Sequence, residues 1–186
     1  MNHVKLIILD RDGVINYDSP NYIKTPEEWI PIPGSLEAIA QLCQAGFSIA
    51  VASNQSGIGR GYYTTATLEA IHQKMLDAAA AAGGKIEKIV YCPHIPSDNC
   101  TCRKPKTGLL KIIADYFHCD LNHVPFIGDQ MSDVEAAIAA HAIPILVDEK
   151  TESPYFIQAE SIAYYRCKDL AEAATMILSG AKNWLN

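Results

Sequence analysis

The chain has 186 residues, of which 49% are apolar, and a formal charge of −6. The length suits one domain spanning 1–186, and the apolar share excludes a disordered chain. The acidic balance offers no electrostatic footprint for nucleic acid or an anionic membrane. No apolar run approaches a bilayer span, and Met1–Leu9 is too short for a signal peptide. The expectation is a soluble cytoplasmic protein, and its small size without an obvious apolar patch points to a monomer.

Taken in chain order, apolar runs alternate with helical patterns, which predicts a doubly wound, mainly parallel α/β sheet. Val4–Leu9 reads as a strand buried on both faces. A Pro-, Asn- and Tyr-rich loop follows, then a helix opened by Gly34-Ser35 and stopped by Gly46. Phe47–Ala52 is a second strand, followed by a loop with Gly57, Gly59 and Gly61, read as flexible and facing substrate. A helix capped by Thr64 or Thr65 runs to about Ala82, and Ile86–Tyr91 is a third strand. After an irregular stretch, Cys92–Thr107, come a helix over Gly108–Phe117 and a strand over Val124–Ile127. A helix starting at Ser132 or Asp133, and a strand over Ile143–Val147, follow. The tail adds a short strand, Ser161–Tyr165, and a helix, Leu170–Leu178.

In open α/β sheets ligands bind beyond the carboxyl ends of the strands. Three polar motifs stand at such ends: Asp10-Arg11-Asp12-Gly13, Ser53-Asn54-Gln55, and Gly128-Asp129 with Asp133 one turn on. Two carboxylates two residues apart repel unless a cation intervenes, and a hard oxygen-loving ion such as Mg²⁺ answers that need. A carboxylate is also a competent nucleophile towards phosphorus, and a second carboxyl can protonate the leaving alkoxide. Taken alone, Asp12-Gly13 reads equally as a turn with a helix cap. Ser53 and nearby backbone N–H groups suit phosphoryl oxygens. Arg60 meets either a second phosphate or solvent. Asp133 either supports the site or caps its helix, the cap being preferred. The three-glycine loop is not a dinucleotide fingerprint, because its last spacing is wrong and it follows the second strand.

Cys92, His94, Cys100 and Cys102 form a C-x-H-x5-C-x-C cluster that matches a closed tetrahedral Zn²⁺ site, structural because no coordination position stays open. Arg103 and Lys104 follow directly, so the staple would hold two cations for an oxyanion. Cys43, Cys119 and Cys167 read as small buried hydrophobes. His3, His118 and His123 read as surface residues, and His72 and His141 as helical residues facing the core or solvent.

Together the motifs resemble those of the haloacid dehalogenase-like phosphatases: Asp10-Arg11-Asp12-Gly13, then Ser53, Lys104 and Gly128-Asp129 in that order. Asp10–Asn16, Asn54–Gly61 and Cys92–Pro105 are similar to the heptose-bisphosphate branch of that family, which makes ADP-heptose precursors of bacterial surface glycans. The resemblance implies a Rossmann-like core with no large cap and a phospho-aspartate on Asp10. It implies that Asp12 acts as general acid and base and gives a carbonyl to Mg²⁺, with Asp10 and Asp129 as its other ligands. It implies that Ser53, Asn54 and Lys104 steady the phosphoryl group. Asp18, Asn21, Gln55, Arg60 and Arg103 belong to the substrate side. Two departures are Ser53 where threonine is common, and Gln130 where some members carry lysine. The rival branch hydrolyses histidinol phosphate and shares the zinc loop, but tends to lack the arginine-bearing glycine loop. A zinc-binding interaction module, a phospho-acceptor switch and a nucleic-acid end phosphatase each explain fewer of these features.

Overall fold

The computed structural model describes residues 4–151, 155–159 and 162–180. Among them seven strands form one sheet: β1 (Leu6–Leu9), β2 (Ser48–Asn54), β3 (Ile86–Cys92), β4 (Pro125–Gly128), β5 (Ile143–Val147), β6 (Tyr155–Ala159) and β7 (Ile162–Cys167). Their order is β3-β2-β1-β4-β5-β7-β6, parallel throughout except for β6, which pairs antiparallel with β7. The strands are continuously apolar because both faces are covered. Ile7, Leu9, Ile49 and Val51 face α1 (Ser35–Gln44), α2 (Thr65–Ala81) and α5 (Leu170–Ser179). Leu6, Ile8, Ala50 and Ala52 face α3 (Gly108–Phe117) and α4 (Met131–Ala139). Alternate residues of one strand thus feed two separate cores, as the period of two demands.

The order in which strands are added reverses at β1, whose neighbours are β2 on one side and β4 on the other. Such a switch point opens a crevice at the carboxyl ends of the strands. The longest connections, 10–34 and 93–107, hold no more than one turn of 3-10 helix each, Pro26–Glu28 and Pro96–Asp98, so no large cap covers the crevice among the described residues. Thr64 caps α2, its Oγ1 accepting from the Thr67 N–H at 3.1 Å.

The tail departs from expectation. Its strand runs over Ile162–Cys167, with Ser161 outside the described residues, and a further strand, β6, precedes it. β6 is a short edge strand paired, among the described residues, with β7 alone, so its signal in the chain is weak. His141 is not helical: it follows α4 with a left-handed backbone, φ 61°. His3 also lies outside the described residues. Cys43 is only half-buried and ties α1 to the turn before β3, its Sγ accepting from the Lys85 N–H at 3.3 Å.

Candidate active site

β1 and β4 run side by side in register, Leu9 opposite Ile127, and the Asp10 N–H donates to the Ile127 carbonyl at 2.8 Å. The two chains therefore leave the sheet together, carrying Asp10 and Asp129 to one place. Gly13 lets them meet: its φ is +77°, and a Cβ there would fall 2.3 Å from Asp129 Oδ2. Asp10, Asp129 and Asp133 offer carboxylate oxygens that all lie within 4.8 Å of one another. Lys104 is the cation among them. It is buried, and its Nζ stands 2.9 Å from Asp10 Oδ2, 2.7 Å from Asp133 Oδ1 and 2.8 Å from the Ala52 carbonyl. The Ala52 contact is a hydrogen bond, and the two carboxylate contacts are ion pairs. Asp133 also caps α4, its Oδ2 accepting from the Gln130 N–H at 3.1 Å, so it performs both roles that the sequence left open.

One lysine does not balance three acids, two of them buried and Asp129 half-buried. Burial pushes Asp10 up to about 7 against the opposing pull of Lys104. Burial likewise raises Asp129 to about 6, partly offset by the Gln130 side-chain amide, which donates to Asp129 Oδ2 at 2.8 Å. Acids with unmet negative charge at this spacing, all oxygen donors, fit a hard divalent cation. Gln130, placed among doubtful contacts by the sequence, thus meets the acid cluster directly.

The carboxylate of Asp12 is drawn aside from that group. Arg11 grips it in a fork, Nε to Oδ1 and Nη2 to Oδ2, both at 2.9 Å. Asn16 Nδ2 donates to Oδ1 at 2.8 Å and Gln55 Nε2 to Oδ2 at 2.9 Å. Arg11 and Asn16 are buried, and neither was singled out in the sequence: an arginine inside a D-x-D motif gives no local sign that it folds back on its neighbour. Gln55 was expected on the substrate side. It is buried, with its amide shared between Asp12 and Ser53 Oγ, the latter at 2.8 Å.

Asn54 was expected to touch the phosphoryl group. It also clasps the Lys104 backbone: Oδ1 accepts from the Lys104 N–H at 3.1 Å and one Nδ2 proton goes to the Lys104 carbonyl at 3.2 Å. The glycine loop is packed rather than free. Gly59 N–H donates to the Pro93 carbonyl at 3.0 Å and Tyr62 N–H to the Gly57 carbonyl at 2.9 Å. Arg60 is exposed on it. Asp18 and Asn21 are exposed on the 17–22 loop, which meets the glycine loop where the Tyr22 and Tyr62 rings stack edge to face, 5.1 Å apart. Asp18 also lines a cavity of about 480 Å³ with Gly13, Asp129 and Lys168.

Cys92, His94, Cys100 and Cys102 converge. Their ligand atoms are 3.2 to 3.6 Å apart: Cys102–Cys92 3.2, His94 Nδ1–Cys102 3.3, His94 Nδ1–Cys92 3.5, Cys102–Cys100 3.5 and Cys92–Cys100 3.6 Å. Tetrahedral zinc with bonds of about 2.0–2.3 Å sets its ligands roughly this far apart. Lys106, not anticipated, closes the loop by donating to the Asn99 and Cys100 carbonyls at 3.1 and 2.6 Å. Arg103 Nη1 donates to the His94 carbonyl at 3.4 Å, so the cluster's position fixes both Arg103 and Lys104.

A parallel switch-point sheet with an acid and lysine cluster at the tips of β1 and β4 defines a haloacid dehalogenase-like hydrolase, and residues 101–173 match the HAD-hydrolase-like family model. Curated relatives refine this. A D-glycero-β-D-manno-heptose-1,7-bisphosphate 7-phosphatase of Bordetella bronchiseptica is 47% identical over 96% of this chain and 100% of its own length. One from Pseudomonas putida is 59% identical over 77% of this chain and 82% of its own, and one from Escherichia coli K12 is 36% identical over 91% of each. A crystal structure of D,D-heptose 1,7-bisphosphate phosphatase from B. bronchiseptica, complexed with magnesium and phosphate, superposes with a TM-score of 0.86 at 44% identity, covering 95% of this chain and 99% of that one. The chain belongs to the D-glycero-β-D-manno-heptose-1,7-bisphosphate 7-phosphatase family.

Proposed function

We propose that this protein removes the 7-phosphate of D-glycero-β-D-manno-heptose 1,7-bisphosphate through a phospho-aspartate on Asp10. The observation that carries the reading is the Asp10 carboxylate, held 2.9 Å from a buried lysine just beyond the carboxyl end of β1, in a chain nearly half identical to a heptose bisphosphate phosphatase. Asp10 attacks phosphorus, and the bond to the sugar oxygen breaks. Asp12 gives that oxygen its proton, then takes one from the water that cleaves the acyl phosphate. Lys104 and the Ser53 hydroxyl meet the charge on the phosphoryl oxygens. Magnesium, when bound, neutralises the carboxylates and phosphate; Asp10, Asp129 and Asp133, with the Asp12 carbonyl, would hold it. Zinc in the four-residue cluster is structural, because four protein ligands close its coordination sphere.

The glycine loop favours this substrate over histidinol phosphate, because its Arg60 adds a cation for the second phosphate that only a bisphosphate carries. A phosphate-release panel with both heptose bisphosphate anomers, fructose bisphosphate and histidinol phosphate tests the assignment. The expected outcome is the highest kcat/KM on the β-heptose bisphosphate, with Asp10→Asn inactive yet folded. A preference for histidinol phosphate, or turnover by Asp10→Asn, refutes it.

A further inference from the structure

We propose that Tyr63 and Gln55 form a positioning relay that sets the working geometry of Asp12 and, through the same amide, the direction of the Ser53 hydroxyl proton. The inference rests on the reading above in that it takes Asp12 as the general acid.

Tyr63 is buried at 7% exposure and its hydroxyl donates to Gln55 Oε1 at 2.7 Å. Asp12 decides which end of the Gln55 amide faces inward: Nε2 gives one N–H to Asp12 Oδ2 at 2.9 Å and the other to Ser53 Oγ at 2.8 Å, which leaves Oε1 to be anchored by the Tyr63 hydroxyl. A carboxylate only accepts, so the flipped amide would set oxygen against oxygen at Asp12. A serine oxygen that accepts from Gln55 keeps its own proton for another partner, and the phosphoryl crevice is the side left for it. One amide therefore speaks to both the acid/base and the phosphoryl-holding hydroxyl, and one phenol holds it in place.

The glycine loop is built to admit this phenol. A Cβ on Gly57 would lie 2.2 Å from Tyr63 Cε1 and 2.9 Å from its hydroxyl oxygen. Gly57 is thus the seat of the Tyr63 ring. Arg11 and Asn16 secure Asp12 from the other side, so loss of the relay loosens Asp12 without releasing it.

The test compares two substrates that differ in their need for a general acid. A sugar phosphate leaves as a poor alkoxide and needs a proton; p-nitrophenyl phosphate leaves as a stable phenolate and does not. kcat/KM covers the steps through leaving-group departure. Loss of Ser53 orientation lowers both substrates, so the ratio of sugar to aryl kcat/KM isolates Asp12. Tyr63→Phe, which removes one oxygen, is expected to lower that ratio about tenfold, and Gln55→Leu and Gly57→Ala to lower it in the same direction. Asp12→Asn should lower it by a hundredfold or more, the scale of general acid catalysis. Far-UV circular dichroism and thermal melting establish that each variant is folded. A Tyr63→Phe ratio equal to the wild type, alongside a collapsed ratio in Asp12→Asn, overturns the relay and leaves the phosphatase reading standing. An unchanged ratio in Asp12→Asn overturns the general-acid role of Asp12 and the relay with it.

Discussion

Lys104 is the residue on which the stability of the site turns, and Lys104→Met isolates its charge. Methionine fills the space of the lysine stem, so no large cavity opens. What disappears is an ammonium with three acceptors at 2.7 to 2.9 Å, two of them carboxylates. Asp10 and Asp133 would stay buried without a partner, and the Ala52 carbonyl would lose its donor. Removing one member of a buried ion pair costs about 3–5 kcal/mol. For a domain of this size that is a fall in Tm of about 6–20 °C. The loss must also depend on pH. Asp10 has its folded pKa raised to about 7 from an ordinary 3.8, so between those values the native protein holds a proton that the unfolded chain has released. Stability of the metal-free wild type therefore falls as pH climbs from about 4 to about 7 on account of Asp10. Lys104 has the same sign of pH dependence in a higher window: desolvation would lower its pKa, but Asp10 and Asp133 raise it, so its contribution is fully present below its ordinary range and fades as pH climbs above it. Near pH 8 the ammonium faces ionised carboxylates, and near pH 5.5 it faces an Asp10 that has taken up its proton. Thermal melts of wild type and Lys104→Met in chelator, at those two pH values, should give the larger deficit at pH 8. A deficit below about 1 kcal/mol, the scale of an exposed pair, would refute the reasoning. So would a deficit that is the same at both pH values.

Cys102→Ala should lose zinc, read by metal analysis of the purified protein, and should lower activity by displacing Arg103 and Lys104; full zinc content with full activity counts against the staple. Asn54→Ala removes both bonds to the Lys104 backbone and is expected to lower kcat by about tenfold with a smaller change in KM, the pattern of a group that positions rather than binds. Gly13→Ala forces a side chain against Asp129 and strains a backbone at φ +77°, so it should weaken magnesium activation, seen as a higher metal concentration at half-maximal rate.

Much of the fold was legible because two-faced burial writes itself as unbroken apolar runs such as Leu6–Leu9, and because polar motifs at the ends of β1, β2 and β4 have no reason to coincide in a non-functional loop. β6 was not legible, since an edge strand's stability comes from a partner that the local pattern does not name. The nature of each contact was harder still. Ser53, Asn54 and Gln55 look like one phosphate-holding cluster in sequence, yet their side chains turn to three different tasks. Ser53 faces an amide, Asn54 clasps the Lys104 backbone, and Gln55 reaches Asp12. Alternation along a strand end sends adjacent residues to opposite faces, and only the neighbours found there decide what each one does.

Two glycines of the motifs point the same way. Gly13 follows the two catalytic candidates of β1, but the atom that needs its missing side chain is on β4, at Asp129. Gly57 follows the polar end of β2, but what it makes room for is the Tyr63 ring, six residues on. Each is a vacancy cut to the shape of a functional neighbour, and neither is spent on flexibility. A loop that must only move can accept many small residues. A loop that must bring a carboxylate or a phenol within hydrogen-bonding reach of buried partners accepts no Cβ at the point of closest approach. Alanine at either position should therefore leave secondary structure intact while it displaces Asp129 in one case and Tyr63 in the other.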